Sequence, residues 1–385
     1  MAQNDIRAGI LGACEMRVGE TAVQLGSHKQ RAVFAMLVIH RNRTVGIDEL
    51  ISAVWGDAPH SGARAALQTY VSNLRALMAG NGIDTRAVLA RTPPGYRLSV
   101  PDDDCDVGRF GVERTDGIAA LVDGRFGQAS EHLSAALSQW RGPVLDDLRE
   151  FTFFEAFATA LCEEKLTTQI ARAEAEIACG RSHMVINELE TLTAEHPYRE
   201  PLWLQLMRAY YLTQRQAEAL DAYHRLKTAL DEDLGIDPDP VAQALHGQML
   251  RQEPLDAAKG AQLRADATIK VLGESLAILT EHPDGPVLRG ADGTALPLRA
   301  FSTRIGRSPD NNIVFDDAKI SRHHAAIIET GSGFVIADLN STNGVYVSNR
   351  RIHPSATLSG GDLIRIGDRE FTFELSVPNL LHDDD

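Results

Sequence analysis

The middle of the chain carries an internal repeat of 34 residues, which limits its possible folds more than any other feature of the sequence. Five positions of the first copy recur at this offset: Gly180, Val185, Leu189, Leu192 and Pro197 align with Gln214, Ala219, Tyr223, Leu226 and Asp231. A period of this length is typical of a helical hairpin, and neighbouring hairpins must stack to bury their apolar faces. Further apolar residues at helical spacing extend the pattern: Trp203, Leu206 and Tyr210 in the second copy, and Ala129, Leu133 and Ala136 in an earlier unit. We therefore predict an all-α central domain over residues 105–255, with these side chains in its core.

Charge is distributed unevenly along the 385 residues, a length that itself indicates two or three domains. Residues 1–100 hold 11 Lys and Arg against 7 Asp and Glu, whereas residues 101–255 hold 14 against 28. A basic N-terminal domain can bind a polyanion although the whole chain carries a net charge of −15. There is no signal-like segment and no apolar run of membrane-spanning length, so we expect a cytoplasmic protein. The four widely spaced cysteines indicate neither a disulfide framework nor a zinc site.

The N-terminal domain is predicted to contain a small sheet, over residues 7–25, followed by three helices. Ser27 and Gln30 have the spacing of a helix capping box, a second helix covers 48–55, and a third covers 61–79. The third helix has an apolar stripe, formed by Leu67, Val71, Leu74 and Met78. Away from this stripe lie basic, amide and hydroxyl side chains without an acidic one: Arg64, Gln68, Thr69, Ser72, Asn73 and Arg75. These groups suit contacts with bases and phosphates in a major groove, so we predict a recognition helix; the alternative is a face that is only solvated.

Two short apolar runs after this helix predict a two-stranded wing, with Arg91 and Arg97 as further candidate DNA contacts. The runs are 88–90 and 96–98, separated by Pro93, Pro94 and Gly95. Together with the sheet and the three helices, they make residues 1–104 resemble the winged helix-turn-helix of OmpR/PhoB-type regulators. That resemblance implies binding of duplex promoter DNA.

Three polar clusters near the C-terminus lie next to apolar runs that predict strands. The runs are 313–315, 325–328 and 334–336, and the clusters are 304–308, 321–324 and 340–344. Fixed guanidinium donors, small hydroxyls and an asparagine amide on one loop surface are suited to binding an anion and a peptide backbone. The alternative is that these arginines are solvated loop charges. A metal site at His323 and His324 is not expected, because adjacent residues of a strand point to opposite faces.

The order of these clusters makes residues 277–376 resemble an FHA (forkhead-associated) domain, an all-β sandwich that binds phosphothreonine peptides. The resemblance implies that Arg307, Ser321 and Arg322 contact phosphate or peptide, that Thr342 packs near the phosphothreonine methyl group and that Asn343 holds the peptide main chain. It also implies scaffold roles for Gly306, His324 and Gly344.

In its three-part order the chain resembles the SARP (Streptomyces antibiotic regulatory protein) regulators that carry an FHA domain, the EmbR regulators of actinobacteria. The central domain, with residues 231–238 near its end, resembles their TPR-like bacterial transcriptional activation domain. The expected fold class is therefore multidomain α+β, with a winged helix, all-α TPR-like repeats and an all-β FHA sandwich. Residues 256–276 are predicted to be a linker and 377–385 a tail.

The leading functional hypothesis is a DNA-binding transcriptional regulator that is coupled to a Ser/Thr protein kinase through phosphothreonine recognition. The alternative is an adaptor that docks on an autophosphorylated kinase and binds DNA weakly. Expected partners are promoter DNA, a phosphorylated kinase, RNA polymerase and a second copy of the chain on DNA. No cofactor, metal or catalytic residue is expected, because the common nucleotide-binding and hydrolase motifs are missing from the sequence.

Overall fold

The computed structural model describes residues 6–56, 59–262, 286–298, 302–309, 311–329, 334–352 and 354–375. The chain divides into two compact units. One contains Met1–Val112, Ser138–Glu164 and Val271–Asp385, and the other contains Glu113–Leu137 and Lys165–Lys270. The first unit therefore combines the winged helix, a segment of the helical middle and the C-terminal β domain.

The N-terminal domain is a winged helix with two small antiparallel sheets around three helices. Its strands are β1 (Ile6–Gly9), β2 (Glu15–Val18), β3 (Thr21–Val23), β4 (Thr44–Gly46), β5 (Leu89–Thr92) and β6 (Gly95–Leu98), and its helices are α1 (His28–Ile39), α2 (Ile47–Trp55), α3 (Ala63–Gly80) and the short α4 (Thr85–Val88). The first sheet has the order β1-β2-β3 and the wing sheet has the order β4-β6-β5. Helix α1 is buried along almost its whole length, from Ala32 to Ile39, because it packs at the centre of this domain.

The start of α1 shows how a polar residue can serve both a helix cap and the core. Ser27 Oγ accepts a hydrogen bond from the amide of Gln30, as the capping-box spacing predicts. The side chain of Gln30, however, does not return to Ser27. Its Nε2 donates to the carbonyl of Leu25 at 2.7 Å, and its Oε1 accepts from Asn73 of α3 at 3.0 Å. Gln30 therefore connects α1 to the third helix.

The described residues of the central region form helices joined by turns and short loops. Its helices are α5 (Asp106–Val122), α6 (Phe126–Ser138), α7 (Glu155–Ala178), α8 (Ile186–Glu195), α9 (Glu200–Leu212), α10 (Gln216–Leu234) and α11 (Pro240–Leu250). Within the second unit an apolar core runs from Leu166 to Met249 and includes Trp203, whose Nε1 donates to the carbonyl of Pro197 at 2.8 Å. The all-α, TPR-like architecture predicted from the repeat is thus confirmed.

Two equivalent residues of the 34-residue repeat have the same unusual backbone. Gly180 has a φ of +75° and Gln214, at the matching position, has a φ of +65°. Both follow a helix and precede the next hairpin. Glycine adopts this left-handed conformation without a steric penalty, whereas glutamine does so at a cost, so the tertiary fold imposes the turn on the second copy.

The C-terminal domain is a β-sandwich of two sheets. Its strands are β7 (Val287–Gly290), β8 (Ala295–Pro297), β9 (Ser302–Gly306), β10 (Ile313–Val314), β11 (Ala325–Glu329), β12 (Phe334–Asp338), β13 (Val345–Val347), β14 (Arg350–Arg351), β15 (Ser355–Leu358), β16 (Leu363–Ile366) and β17 (Arg369–Glu374). In the described residues the sheets have the orders β10-β9-β11-β12-β15 and β14-β13-β16-β17-β7-β8. Between them lies an apolar core that includes Ile305, Ile327, Ile336 and Phe373. The predicted sandwich is confirmed.

The first of these sheets is buried on both faces at its centre. In β11 and β12, four consecutive residues of each strand are buried, so the side chains that point away from the sandwich core are covered too. Polar contacts within the first unit accompany this burial: Arg304 lies 5.4 Å from the ring centre of Phe153, and Arg43 of the winged helix donates to both carboxylate oxygens of Glu329 at 2.9 and 3.1 Å. The ion pair of Arg43 with Glu329, the last residue of β11, therefore joins the β domain to the winged helix.

Two expectations about the remaining segments can be compared with the structure in part. Residues 257–262, inside the predicted linker, are helical, and Ala261 is buried. The rest of that linker from residue 263, and the predicted tail, lie outside the described residues.

Of the helices in the described ranges, none combines the length and apolar character needed to cross a membrane. Among those same residues, no group of three or more His, Cys, Asp or Glu side chains is arranged to hold a metal ion.

Candidate functional site

The loops after β9 and before β11 are joined by backbone hydrogen bonds, which fixes the spacing of the two candidate phosphate-binding arginines. The amide of Arg307 donates to the carbonyl of Ser321 at 2.9 Å, and the amide of Ser308 donates to the carbonyl of Arg322 at 3.0 Å. The amide of His324 donates to the carbonyl of Ile305 at 2.9 Å, continuing the pairing into the sheet. Both arginine side chains are exposed although their backbones are held.

Asn311, which the sequence analysis did not single out, holds the same two loops together from inside. Its Nδ2 donates to the carbonyls of Ser308 and Arg322, each at 2.7 Å, and its side chain is almost entirely buried. A Cβ at Gly306 would lie within 3.0 Å of the Arg322 carbonyl oxygen and of this amide nitrogen. Glycine is therefore required at that position by close approach of the loops. The signal in the sequence is an asparagine pair in a loop, which is too common to identify a role.

His324 braces the second and third loops through both ring nitrogens. Its Nδ1 accepts from the amide of Ser321 at 3.0 Å, and Nε2 is 3.2 Å from the carbonyl oxygen of Gly344. Because an amide donates to Nδ1, the ring is the neutral Nε2–H tautomer, which donates to Gly344. Burial of the ring lowers the pKa of His324 below its ordinary value, against the opposing effect of the Gly344 carbonyl. The histidine is thus a neutral part of the scaffold.

The small polar side chains of the site lie on its outer surface, next to each other. The amide of Thr342 donates to Ser321 Oγ at 3.1 Å, and Ser321 Oγ donates to Thr342 Oγ1 across a longer distance of 3.5 Å. Asn343 Nδ2 donates to the carbonyl of Lys319 at 2.7 Å. Thr342 and Asn343 are exposed, and Gly344 behind them is buried. The structure therefore brings the five residues predicted to contact peptide onto three adjoining loops and leaves their side chains accessible.

This surface combines two positive guanidinium groups, the hydroxyls of Ser321 and Thr342, and an asparagine amide. Arg307 uses Nε to donate to the carbonyl of Ile320 at 3.3 Å, which orients the planar group. An anion with several acceptor oxygens can bond to such donors at once, and charge-assisted bonds of this kind are about twice as strong as neutral ones. The geometry suits a phosphate group carried on an extended peptide.

The predicted recognition helix α3 has the expected apolar stripe and an exposed polar face. Leu67, Val71, Leu74 and Met78 are fully or almost fully buried. Gln68, Thr69 and Ser72 are exposed on the other side, although Thr69 Oγ1 also donates to the carbonyl of Ala65 at 3.1 Å. These three side chains are free to reach a groove.

Three other residues on this face have partners within the protein. Asn73 Nδ2 donates to Gln30, and Arg64 pairs with Asp48 at 2.9 Å in an exposed ion pair. Arg75 donates from Nε and Nη2 to the carbonyl of Leu89, at 3.0 and 2.8 Å, and lies 5.8 Å from the ring centre of Tyr96. Arg75 therefore ties the helix to the wing.

The wing places its two candidate arginines on the surface, and an aromatic cluster lies near the other end of the helix. Arg91 and Arg97 are exposed on adjacent antiparallel strands. Trp55 stacks on Tyr70 with ring centres 6.0 Å apart, and the ammonium of Lys29 is 5.4 Å from the Trp55 ring. The sequence carries no local signal for this cluster, because its members come from three different helices.

Comparison with known proteins assigns all three parts of the chain to families. Residues 20–98 match the family described as transcriptional regulatory protein, C terminal; residues 105–250 match the bacterial transcriptional activator domain; and residues 303–367 match the FHA domain. The chain is 57% identical over 369 residues to the transcriptional regulatory protein EmbR of Mycobacterium tuberculosis, covering 96% of this chain and 95% of that one. It is 44% identical over 266 residues to the transcriptional regulatory protein MoaR1 of the same organism, covering 69% of this chain and 86% of MoaR1.

A solved structure agrees with these sequence relationships over nearly the whole chain. The structure of Mycobacterium tuberculosis EmbR in complex with a low-affinity phosphopeptide has a TM-score of 0.91 and 56% sequence identity, covering 97% of this chain and 99% of the other. With the winged helix, the helical activator domain and the FHA sandwich present in the expected order, the chain belongs to the EmbR family of SARP-like transcriptional regulatory proteins.

Proposed function

We propose that this regulator binds phosphothreonine through its FHA domain and so couples the activity of a Ser/Thr protein kinase to a promoter. The observation that carries the proposal is the braced loop surface with exposed Arg307 and Arg322 beside Ser321, Thr342 and Asn343. Phosphate brings about −1.5 to −2 charges and three acceptor oxygens, which match these donors. The phosphopeptide in the solved EmbR structure supports the same ligand class for this chain.

We propose that the winged helix binds duplex promoter DNA with α3 in the major groove. In this assignment Gln68, Thr69 and Ser72 contact bases or phosphates, and Arg64 contributes to phosphate binding once its exposed pair with Asp48 opens. Exposed ion pairs contribute little to stability, so replacing the Arg64–Asp48 pair with a phosphate contact costs little free energy. Arg91 and Arg97 would contact the backbone from the wing, while Asn73 and Arg75 would position the helix.

The contacts of β11 suggest a route from one site to the other. The strand begins directly after His324 of the phosphothreonine loops and ends at Glu329, which pairs with Arg43 of the winged helix. A change in the loops on peptide binding would therefore reach a residue of the DNA-binding domain through one strand. We further propose a kinase loop as the natural phosphopeptide, two copies of the chain on one promoter, RNA polymerase as a partner of the helical middle, and a cytoplasmic location.

The proposal is tested by measuring DNA binding of the full chain with and without a phosphothreonine peptide. Retention of promoter fragments by the purified protein should change when the phosphothreonine peptide is added and should not change with the unphosphorylated peptide. If the peptide binds while specific and random DNA are retained equally at every salt concentration, the adaptor hypothesis replaces that of a DNA-binding regulator. A steep decrease of DNA affinity with salt is expected in either case, because phosphate contacts release counterions.

A further inference from the structure

Arg351, on the short edge strand β14, lies against the loop that carries Thr342 and Asn343. A Cβ placed on Gly344 would be within 3.0 Å of three atoms of the Arg351 guanidinium, which shows that this group rests on the glycine next to Asn343. Gly344 also has a φ of +75°. This backbone conformation favours glycine, and any larger residue would also displace the Arg351 guanidinium. This arrangement places a third guanidinium beside the phosphothreonine loops.

The other basic residues near this edge already have partners, which distinguishes Arg351 from them. Arg365 lies 3.8 Å from the ring centre of Tyr346, its neighbour on β13. Lys319, at the opposite side of Asn343, is paired with Asp368. In the described part of the chain, no carboxylate oxygen lies within 4.0 Å of a nitrogen of Arg351. The side chain is exposed.

The cross-strand register explains why Arg351 points toward the loops. Arg351 is opposite Tyr346, and Tyr346 is opposite Arg365, so these three residues form one row on a single face of the sheet. Arg351 ends that row, because β14 is the edge strand. Arg350 is the next residue on the same strand and therefore points to the opposite face. The edge thus presents one of its two arginines to the Asn343 loop.

We propose that Arg351 is a specificity-determining residue that binds a second anionic group of the same peptide, either a carboxylate or a phosphate close in sequence to the phosphothreonine. The inference rests on the proposed phosphothreonine binding and extends it. Asn343 holds the peptide main chain in that function, and the Arg351 guanidinium, which has no carboxylate partner among the described residues, adjoins Asn343 through Gly344. A planar guanidinium recognises both carboxylates and phosphates, so the two sources share one chemistry.

The test is a comparison of peptide pairs on three full-length proteins by calorimetry. The peptides share one phosphothreonine and differ in their flanking positions, which carry alanine, glutamate or a second phosphothreonine, scanned on both sides. The proteins are the unchanged chain, Arg351→Gln and Arg350→Gln. The last is a matched control, since it removes the same charge from the same strand on the opposite face. Thermal unfolding of each protein verifies that the variants are folded.

The unchanged chain should bind at least one anionic peptide about tenfold more tightly than the alanine peptide, and Arg351→Gln should lose most of that ratio. Arg350→Gln should keep it. The glutamate and second-phosphate series show which anion is preferred. If Arg351→Gln keeps the ratio, or if Arg350→Gln loses it equally through long-range charge, Arg351 is not a specificity residue. If the unchanged chain binds none of the phosphothreonine peptides, the proposed function itself fails, which is a separate outcome.

Discussion

The two polar surfaces of this regulator, the FHA loops and the α3 face, differ in how their side chains are divided between scaffold and contact. In the FHA domain the bracing groups are His324 and Asn311, which are buried, and the proposed contact groups are exposed. On α3 both kinds of group occupy the same exposed face: Gln68 is free, whereas Arg75 bonds to Leu89 in the wing. The FHA motif therefore separates buried scaffold residues from exposed ones, whereas the composition of a helix face does not separate free side chains from bonded ones.

The largest effect is expected where the FHA surface loses a charged donor. Arg307→Ala should remove detectable binding of a phosphothreonine peptide, because each charge-assisted bond lost costs roughly 1.5–3 kcal/mol and this group can form more than one. Arg307→Lys should restore binding only in part, since an ammonium lacks the planar fork. Arg350→Ala is the control for a simple loss of charge. Unchanged affinity in Arg307→Ala would place the phosphate elsewhere.

The next largest effect is a loss of stability that should differ between variants of two adjacent histidines, His323 and His324. His324→Ala should lower the free energy of unfolding of the FHA domain by about 2–4 kcal/mol, since it leaves a cavity and unpaired groups at Ser321 and Gly344. His323→Ala alters an exposed ring whose Nδ1 lies 3.3 Å from Asn311 Oδ1, and it should cost less, about 1 kcal/mol. Chemical denaturation of the two variants measures the difference. Equal costs would show that His324 does not brace the loops.

A smaller effect should distinguish Arg75, which is proposed to position α3, from Gln68, which is proposed to contact DNA. Arg75→Ala should destabilise the winged helix by about 1–3 kcal/mol, because the carbonyl of the buried residue Leu89 loses both of its donors from Arg75. The same variant should bind all DNA sequences more weakly and to a similar degree. Gln68→Ala should leave stability within about 0.5 kcal/mol and reduce the preference between DNA sequences. Denaturation and competition binding on the same proteins provide both quantities. A loss of sequence preference in Arg75→Ala without a loss of stability would mean that Arg75 contacts bases and does not position the helix.

The smallest effect is a pH dependence of the FHA scaffold. The lowered pKa of buried His324 means that the unfolded chain binds a proton near the ordinary pKa of about 6.5 while the folded protein does not. The stability contributed by this group is therefore complete above that pH and decreases as the pH falls toward the folded pKa. His324→Gln should have a shallower loss of stability between neutral and mildly acidic pH than the unchanged chain. A steeper loss would contradict the neutral, buried state of the ring.

The architecture could be predicted because the helical parts have clear periodicities and the C-terminal part has the motif order that resembles an FHA domain. The 34-residue offset indicated stacked hairpins, and the apolar stripe of α3 from Leu67 to Met78 indicated a helix packed on a core. It could not identify Asn311 or the partners of Arg75, because those roles depend on backbone carbonyls brought close by tertiary folding. The contact of Arg43 with Glu329 joins residues 286 positions apart and has no local signal.

Phosphothreonine recognition by the FHA loops is tested most directly by calorimetry of the full chain with three matched peptides. The peptides carry phosphothreonine, phosphoserine or unmodified threonine at the same position. Thr342, exposed beside Ser321, is the residue proposed to pack near the phosphothreonine methyl group. We expect measurable binding of the phosphothreonine peptide, at least about tenfold weaker binding of the phosphoserine peptide, and none of the unmodified one. Equal affinity for all three peptides, or binding that survives Arg307→Ala, would contradict phosphothreonine recognition by this surface.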